Sequence, residues 1–491
     1  MNRHKKKESA TIFQNIQNTV FLIDIPTSIA LAQNWTPAQG QDPPEPKDSA
    51  ESSTESHQKT KCLISSPPLR APYPSSTEPK TDAARAKLLQ RFSGEERRFH
   101  EEIVQPLVRD ALDEIRGALK SSSGREWCLP RCVLDENEKD SKREREPQKW
   151  ELSKDSGSGS GSRKRKRGYG NSSEPPIVLS SSSSNTFESM ADLQGIVKNP
   201  SSSESAILTV AGLGSGSQTA EASTYIVPPT SSFVLCTLPL SDPGISTPIP
   251  GLPEDHRFNL MLLDPPWPNR SVRRSGHYNT HPYFGMEELT QCLGAILRAH
   301  SYVHDDVSCT NTVPDHHPSS AAQSRQSLAA IWVTNSERSR KAAYDSLRSA
   351  GFRVCEEWIW IKITTDGQPI STLDGLWRRP YETLIIGRKP TGNEVEDIVN
   401  TTITRRVIAA VPDLHSRKPN LKSIFEEVFF ASDSSDRYNP IIVPYAALEV
   451  FARNLTAGWW ACGNEAIKFN ASQCWTDIPT HFPNAVNPTL D

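Results

Sequence analysis

One short stretch decides the fold of this chain. It reads Phe258-Asn259-Leu260-Met261-Leu262-Leu263-Asp264-Pro265-Pro266-Trp267. The first six residues form a mostly apolar run, which is typical of a strand buried on both faces of a sheet. Asp264 follows the run, and Pro265 and Pro266 then fix a rigid turn that carries the ring of Trp267. Since ligands bind at the carboxyl edge of the strands in an open α/β sheet, this turn is predicted to lie in a ligand site.

The residue types in this turn suit methylation of an exocyclic amino group on a flat base. Such a nitrogen is a poor nucleophile because its lone pair is delocalised into the ring. Asp264 and a backbone carbonyl would accept both of its N–H bonds and hold the amine in line with a methyl donor. The ring of Trp267 would stack on an unpaired base. The alternative is a proline-rich turn with a core tryptophan, and the four residues alone leave both open.

Further strand-like runs lie on both sides of this stretch. They are Ala206 to Val210, Phe233 to Leu235, Ala330 to Val333, Trp358 to Ile363, Thr383 to Ile386, Val407 to Val411 and Leu448 to Phe451. Helical segments separate several of them, for example Ser336 to Ala350, which Gly351 closes at its C′ position. Strands that alternate with helices predict a mostly parallel α/β sheet. The polar stretch from Val303 to Ser327 is predicted to be a surface insertion.

A second helical pattern precedes the sheet. Ser93 with Glu96 three residues later matches a capping box. Apolar residues then recur every four positions, at Phe99, Ile103, Leu107, Ala111, Ile115 and Leu119. Pro106 is expected to kink or split this helix. The amphipathic stripe favours a helix that packs on the main domain, and a partner-binding helix is the alternative.

Low-complexity sequence surrounds this helical block. Residues 30 to 80 are rich in Pro, Ser, Thr, Glu and Lys, which predicts disorder. Ser156 to Ser162 alternates Ser and Gly as in a flexible linker. The adjacent run Arg163–Arg167 indicates a nuclear-import signal, with a nucleic-acid tail or a solubilising run as alternatives. The predicted regions are a mostly disordered 1–82, a helical appendage 83–134, a disordered linker 135–185, an α/β domain 186–475 with the insertion 303–327, and a tail 476–491.

Composition agrees with one folded domain among polar segments. The chain has 491 residues with 39 Pro, and eight of its 11 Trp follow residue 186. No apolar run reaches the about 18–20 residues that a membrane span needs. Nine Cys without a repeating spacing indicate reduced thiols in an intracellular protein. At a formal net charge of −3, a nucleic-acid partner needs local basic patches.

The tetrad Asp264–Trp267 and the blocks around it resemble a known family. They are similar to the adenine-N6 methyltransferases related to the eukaryotic mRNA N6-adenosine methyltransferase, and within these to the methyltransferase-like protein 4 branch. The other blocks are Tyr225–Pro229, Ser231–Phe233, Ser271–Ser275 with Tyr278, Trp332–Asn335, Glu357–Thr364, Pro380–Glu382, Leu414–Pro419, Leu448–Asn454, Gly458–Trp459 and Gly463–Glu465. The resemblance implies a Rossmann-like fold with permuted motif order and S-adenosyl-L-methionine as cofactor.

The resemblance also implies a role for individual residues. The implied catalytic residues are Asp264, Pro265, Pro266 and Trp267. The implied cofactor-binding residues are Thr237, Leu238, Asp264, Lys418, Glu449, Arg453, Asn454, Asn464 and Glu465. Of these, Glu449 would receive the ribose hydroxyls and Lys418 would meet the methionine carboxylate. Residues expected to contact the nucleic acid are Arg270, Arg273, Arg274, Tyr278 and Arg417, with solvated surface charges as the alternative.

One position departs from the family pattern, and the insertion around His316 and His317 is not family-like. Thr237 stands where relatives carry an Asp that accepts a hydrogen bond from the cofactor adenine, and a threonine hydroxyl accepts only as a neutral group. The adjacent His316 and His317 lack Cys or carboxylate partners at ligand spacing, so no metal site is expected.

The sequence therefore predicts a nuclear, S-adenosylmethionine-dependent adenine-N6 methyltransferase that acts on RNA, with small nuclear RNA favoured. DNA as substrate and a non-catalytic nucleic-acid-binding subunit are the alternatives. The intact Asp264 and Trp267 favour the enzyme, since inactive partners in this superfamily typically lack both. A monomer without membrane contact is expected, while a partner subunit and an additional cytoplasmic location stay open.

Overall fold

The computed structural model describes residues 9–34, 61–74, 81–90, 92–121, 126–133, 175–211, 222–240, 247–268, 285–303, 326–376, 379–390, 402–414, 417–432 and 441–477. Several predicted features lie outside these residues. They are the basic run Arg163–Arg167, His316 and His317, and the expected nucleic-acid contacts Arg270, Arg273, Arg274 and Tyr278.

The described residues form an α/β structure. The helices are α1 Ile25–Ala32, α2 Asp82–Leu89, α3 Gly94–Arg98, α4 Gln105–Ser121, α5 Met286–His300, α6 Glu337–Ser349 and α7 Lys422–Phe425, with π-helical segments at Phe99–Val104 and Glu426–Phe430. The strands are β1 Thr11–Gln14, β2 Val20–Ile23, β3 Lys61–Leu63, β4 Ile177–Val178, β5 Asn185–Phe187, β6 Ile196–Lys198, β7 Ala206–Val210, β8 Ser223–Val227, β9 Ser232–Val234, β10 Leu260–Leu263, β11 Leu328–Val333, β12 Arg353–Lys362, β13 Tyr381–Arg388, β14 Thr404–Ala410, β15 Ala447–Val450, β16 Trp460–Cys462 and β17 Trp475–Asp477. No helix within the described ranges is long and apolar enough to cross a membrane.

Within the described residues, twelve strands make one sheet in the order β1-β2-β14-β12-β13-β11-β10-β15-β16-β9-β6-β4. The strands β2, β14, β12, β11, β10, β15, β16 and β9 run in one direction. Strand β13 lies antiparallel between β12 and β11. The prediction of a mostly parallel α/β sheet is confirmed, and the fold is Rossmann-like with helices on both faces.

Strand β10 lies in the middle of this sheet and is buried on both faces. Met261 and Leu263 pack with α5 and α6 on one face, whereas Leu260 and Leu262 pack with α1 and α7 on the other. The two faces explain why the strand is a continuous apolar run rather than an alternating one. Strand β10 pairs in parallel with β11 on one side and with β15, from much later in the chain, on the other. The carboxyl end of β10 is therefore a topological switch point, where α/β sheets bind ligands.

The structure differs from the predicted division of the N-terminal region. Residues 1–82 were expected to be mostly disordered, but β1 and β2 extend the main sheet through pairing of β2 with β14. The run Val20–Ile23 is buried along its whole length. Four consecutive apolar residues are too few to show the two-residue periodicity of a strand, so β2 is recognised only from its pairing with β14.

The predicted amphipathic helix packs on the sheet as expected. Ala111, Ile115 and Leu119 of α4 lie in one apolar cluster with residues of β12 and β14. Ser93 caps α3 by accepting a hydrogen bond from the Glu96 N–H. The break predicted at Pro106 takes the form of the π-helical segment Phe99–Val104 just before it, because proline lacks an N–H donor and its ring crowds the preceding turn.

Candidate active site

The turn Asp264–Trp267 is tied to both neighbouring strands. The Asp264 N–H donates to the Val450 carbonyl at the end of β15, at 3.2 Å. The Trp267 N–H donates to the Pro265 carbonyl at 2.8 Å. At the other side, the indole N–H of Trp267 donates to the Trp332 carbonyl of β11 at 2.7 Å. These bonds hold the Asp264 carboxylate at the switch point in a fixed orientation.

The structure places the Trp267 ring differently from the sequence prediction. The residue is 5% exposed and packs with the apolar side chains beneath α5 and α6. A ring buried in this core offers no face to an incoming base. Trp267 therefore anchors the turn Asp264–Trp267, and the predicted stacking on the base is not supported. The four residues Asp264–Trp267 alone cannot reveal this burial, because the direction of the Trp267 indole depends on the β11 carbonyl to which it donates.

Asp264 opens onto a pocket above the carboxyl ends of β10, β11 and β15, which we call the switch-point pocket. Its lining residues are Leu262, Asp264, Trp332, Arg417, Lys418, Pro419, Asn420, Leu421, Glu449, Phe451, Arg453, Asn454, Trp459 and Phe469. Five of the predicted cofactor residues thus meet in one cavity: Asp264, Lys418, Glu449, Arg453 and Asn454. They come from segments almost 200 residues apart, which the sheet order brings together.

The remaining predicted cofactor residues lie along the same sheet edge. Thr237 and Leu238 follow β9, and Asn464 and Glu465 follow β16, the parallel neighbour of β9. Thr237 is exposed and Leu238 is buried. Gly463 links the two strand ends, because its N–H donates to the Val234 carbonyl at 3.2 Å and its φ of +138° suits glycine. The predicted set therefore follows the carboxyl edge from β10 to β9.

A charge network lies behind Lys418, one of the residues that line the switch-point pocket. The Lys418 ammonium donates to Glu382 Oε2 at 2.7 Å and lies 3.5 Å from Asp264 Oδ1. The Lys362 ammonium donates to the other oxygen of Glu382 at 2.6 Å. Both ammonium groups also lie against the ring of Trp360, at 5.8 Å and 4.7 Å from its centroid. The Glu382 carboxylate thus fixes two cations, and one of these, Lys418, faces the Asp264 carboxylate.

The environment holds this network in its charged form. Although burial opposes it, the ammonium groups of Lys362 and Lys418 lower the pKa of Glu382 well below its usual range. Burial likewise opposes the charge on Lys418, but Asp264 and Glu382 raise the pKa of its ammonium group. Lys418 is therefore a permanent cation beside Asp264.

Glu449, which lines the pocket, differs from Glu382 because its pKa is raised rather than lowered. Burial, with a further contribution from Asp264, raises the pKa of Glu449 to about 8, against the opposing effect of Arg453. Its carboxyl group makes no hydrogen bond to any other described residue. Arg453 itself forms an ion pair with Glu465, at 3.3 Å between Nε and Oε2. A half-buried carboxyl at a strand end, without a hydrogen-bond partner among the described residues, can accept hydrogen bonds from ligand hydroxyl groups.

Arg417 is a correction to the predicted nucleic-acid contacts. Its guanidinium is 1% exposed and pairs with Asp413 at 2.6 Å, while it also donates to the Ile64 carbonyl at 2.9 Å. A buried, paired arginine does not face a phosphate track on the surface. The sequence showed a basic residue next to Lys418, but the pairing with Asp413 appears only in the folded chain.

Two residues of the network, Lys362 and Glu382, were absent from the predicted site. Both lie in blocks that carry the family resemblance. Their contact depends on the antiparallel pairing of β12 with β13, in which Trp360 stands opposite Glu382. A lysine directly after the apolar run Trp358–Ile361 was the available signal, but its role becomes clear only when the partner strand is known.

These observations define the class of the protein: a Rossmann-like α/β fold with a charged pocket at its switch point, as in methyltransferases. Residues 258–465 match the model of the MT-A70 family, and the chain contains an MT-A70 domain. The family resemblance predicted from the sequence is thereby confirmed.

Three relatives show the range of similarity. The N6-methyladenosine RNA methyltransferase MTA1 of Cryphonectria parasitica is 34% identical over 228 residues, which are 45% of this chain and 55% of that protein. The MTA1 protein of Pyricularia oryzae is 34% identical over 284 residues, 55% of this chain and 62% of the relative. The human N(6)-adenine-specific methyltransferase METTL4 is 28% identical over 252 residues, 50% and 43% of the two chains. The chain therefore spans about half the length of these curated relatives.

Proposed function

We propose that this chain is an S-adenosylmethionine-dependent adenine-N6 methyltransferase that acts on RNA. The observation that carries the proposal is the position of Asp264, which opens onto the switch-point pocket 3.5 Å from the ammonium group of Lys418. The Asp264 carboxylate, which can accept hydrogen bonds from an amine, thus lies next to the Lys418 ammonium group, which can bind a carboxylate. The relatives' names, two RNA methyltransferases and an N6-adenine-specific methyltransferase, support the same reaction.

The chain's own residues have distinct tasks in this reaction. Asp264 accepts one hydrogen bond from the adenine amine, and the Pro265 carbonyl accepts a second. The Pro265 carbonyl can do so because the Trp267 N–H occupies only one of its two lone pairs. The carboxylate also stabilises the positive charge that develops on the nitrogen as the N–C bond forms. As the N–C bond forms, the bond from the methyl carbon to the sulfonium sulfur would break, and the methylated nitrogen would lose one proton to the Asp264 carboxylate, which passes it to water and leaves a neutral product.

The pocket fits the proposed cofactor. Lys418 would hold its methionine carboxylate, Glu449 its ribose hydroxyls, and Asn454, Asn464 and Glu465 lie along the edge that the rest would follow. When bound, S-adenosylmethionine supplies an electrophilic methyl group on a sulfonium. The unsatisfied Glu449 carboxyl and the fixed Lys418 cation are the structural support for this fit.

Affinity for the cofactor is expected to rise with pH. Since the pKa of Glu449 is about 8, the acceptor form that ribose hydroxyls prefer accumulates only as pH rises through that value. Between pH 6.5 and 8.5 the Kd should fall about tenfold. Calorimetric titration at several pH values measures it. In Glu449→Gln the dependence should disappear, and an unchanged pH dependence in that variant would refute this role.

Small nuclear RNA is the RNA class that we favour, because the blocks from Tyr225 to Glu465 resemble the methyltransferase-like protein 4 branch. The basic run Arg163–Arg167 supports a nuclear site of action. For the test, the purified chain is incubated with methyl-labelled S-adenosylmethionine and separate pools of small nuclear RNA, polyadenylated RNA and DNA. Label in small nuclear RNA above the other pools supports the proposal. Label found only in DNA would show that DNA is the substrate. If no pool is labelled and the chain does not bind the cofactor, the chain is a non-catalytic subunit.

A further inference from the structure

A buried polar contact joins the N-terminal helices to the sheet. Nδ1 of His100, in the π-helical segment, lies 2.6 Å from the hydroxyl of Tyr381 at the start of β13. The two residues are 3% and 1% exposed. Glu96, one turn earlier in α3, lies 3.8 Å from both His100 Nε2 and Arg379 Nη1. Buried polar groups of this kind are costly unless they meet each other, so the contact specifies one position of the helix on the sheet.

The segment Arg379–Tyr381, at the start of β13, is also hydrogen-bonded to Asn335, which follows β11. The Asn335 side-chain amide donates to the Tyr381 carbonyl. In return, Arg379 Nη1 donates to the Asn335 carbonyl at 3.4 Å. Asn335 stands three residues after Trp332, whose side chain lines the switch-point pocket. The start of β13 is thus held between the N-terminal helices and the pocket rim.

Tyr381 and Glu382 are neighbours in β13, so their side chains point to opposite faces of the sheet. Tyr381 packs in the apolar cluster of α4, whereas Glu382 binds Lys418 and Lys362 on the pocket face. A displacement of Tyr381 would therefore move Glu382 and with it the cation beside Asp264. The chain of contacts runs from His100 through this strand to Lys418.

The apolar part of the helix does not require this contact. Val108 and Ile115 of α4 are fully buried in the same cluster and hold the helix to the sheet by packing alone. Burial lowers the pKa of His100, which keeps the imidazole neutral and suits a hydrogen bond with a phenol. The groups that face this imidazole are Glu96, Arg340, Arg379 and Tyr381.

We propose that Glu96 and His100 are positioning residues of the switch-point pocket, acting through Tyr381 and Glu382 on Lys418. This inference rests on the proposed function, because the cation that they position is the one assigned to the cofactor. It gives the polar contact between His100 and Tyr381, rather than the apolar packing of α4, a part in shaping the pocket.

The test compares His100→Ala and Tyr381→Phe with His100→Asn, which keeps a polar atom near the position of Nδ1. Val108→Ala, a packing defect in the same cluster, is the matched control. We expect His100→Ala and Tyr381→Phe to lower kcat/KM about five- to tenfold, through weaker cofactor binding, with KM for RNA unchanged. His100→Asn should recover most of this loss, and Val108→Ala should stay within about twofold of the wild type.

Amide hydrogen exchange supplies a readout that does not require activity. In His100→Ala, exchange at residues 379–384 and 417–421 should accelerate about tenfold, but not in Val108→Ala. Equal exchange in both variants, or kinetic constants within twofold of the wild type, would overturn the inference. If the wild type transfers no methyl group, the proposed function fails, and exchange at 417–421 alone then decides whether the helices position Lys418.

Discussion

Replacing Asp264 with alanine is expected to lower kcat for methyl transfer about 100- to 1,000-fold. The variant loses the carboxylate that orients the adenine amine and stabilises its developing charge. The fold should persist, because the bond that ties the turn to β15 comes from the backbone N–H of residue 264. Single-turnover kinetics with labelled cofactor, together with thermal unfolding, measure both effects.

The control for this prediction is Asp345→Ala, which removes a surface carboxylate of α6 that pairs with Arg348. It should leave kcat within about twofold, since exposed pairs contribute little. An Asp264→Ala variant that keeps more than about a tenth of the wild-type kcat would contradict the assigned role.

Replacing Lys418 with methionine should affect stability and cofactor affinity together. Glu382 loses one of its two cations and Asp264 loses its neighbour, so the free energy of unfolding should fall by roughly 3 kcal/mol. The cofactor carboxylate loses its ionic partner, and its Kd should rise about 100-fold. Denaturant unfolding and calorimetry measure the two quantities separately.

Lys362→Met is the matched control, because Lys362 also binds Glu382 but has no ion pair with Asp264 among the described residues. It should lose a similar free energy of unfolding, whereas the cofactor Kd should rise by no more than about tenfold, since only the support of Glu382 is weakened. If the two lysine variants weaken cofactor binding equally, Lys418 has no direct part in it.

The central part of the fold was predictable from local sequence. Strand β10 is a continuous apolar run, and the stripe from Phe99 to Leu119 has helical period, so each pattern names its element without its partners. Asp264 at the end of β10 also locates the site, because parallel sheets bind ligands at their carboxyl edge. The family resemblance then supplied the residues that approach this edge from later strands.

What local sequence could not reveal depends on partners far along the chain. The four residues of β2 become a strand through β14, almost 400 positions away. The direction of the Trp267 ring depends on a carbonyl of β11, and the burial of Arg417 depends on Asp413. Likewise, Glu382 became a site residue only through two lysines from separate segments. In each case long-range pairing outweighs the local pattern.

Chemical identification of the product tests the central claim most directly. RNA methylated by the purified chain is digested to nucleosides, and the labelled nucleoside is identified by mass spectrometry beside a reaction with Asp264→Ala. We expect the label on the N6 atom of adenine with the wild type, and almost none with the variant. Label on another atom or base, or equal label with Asp264→Ala, would contradict it.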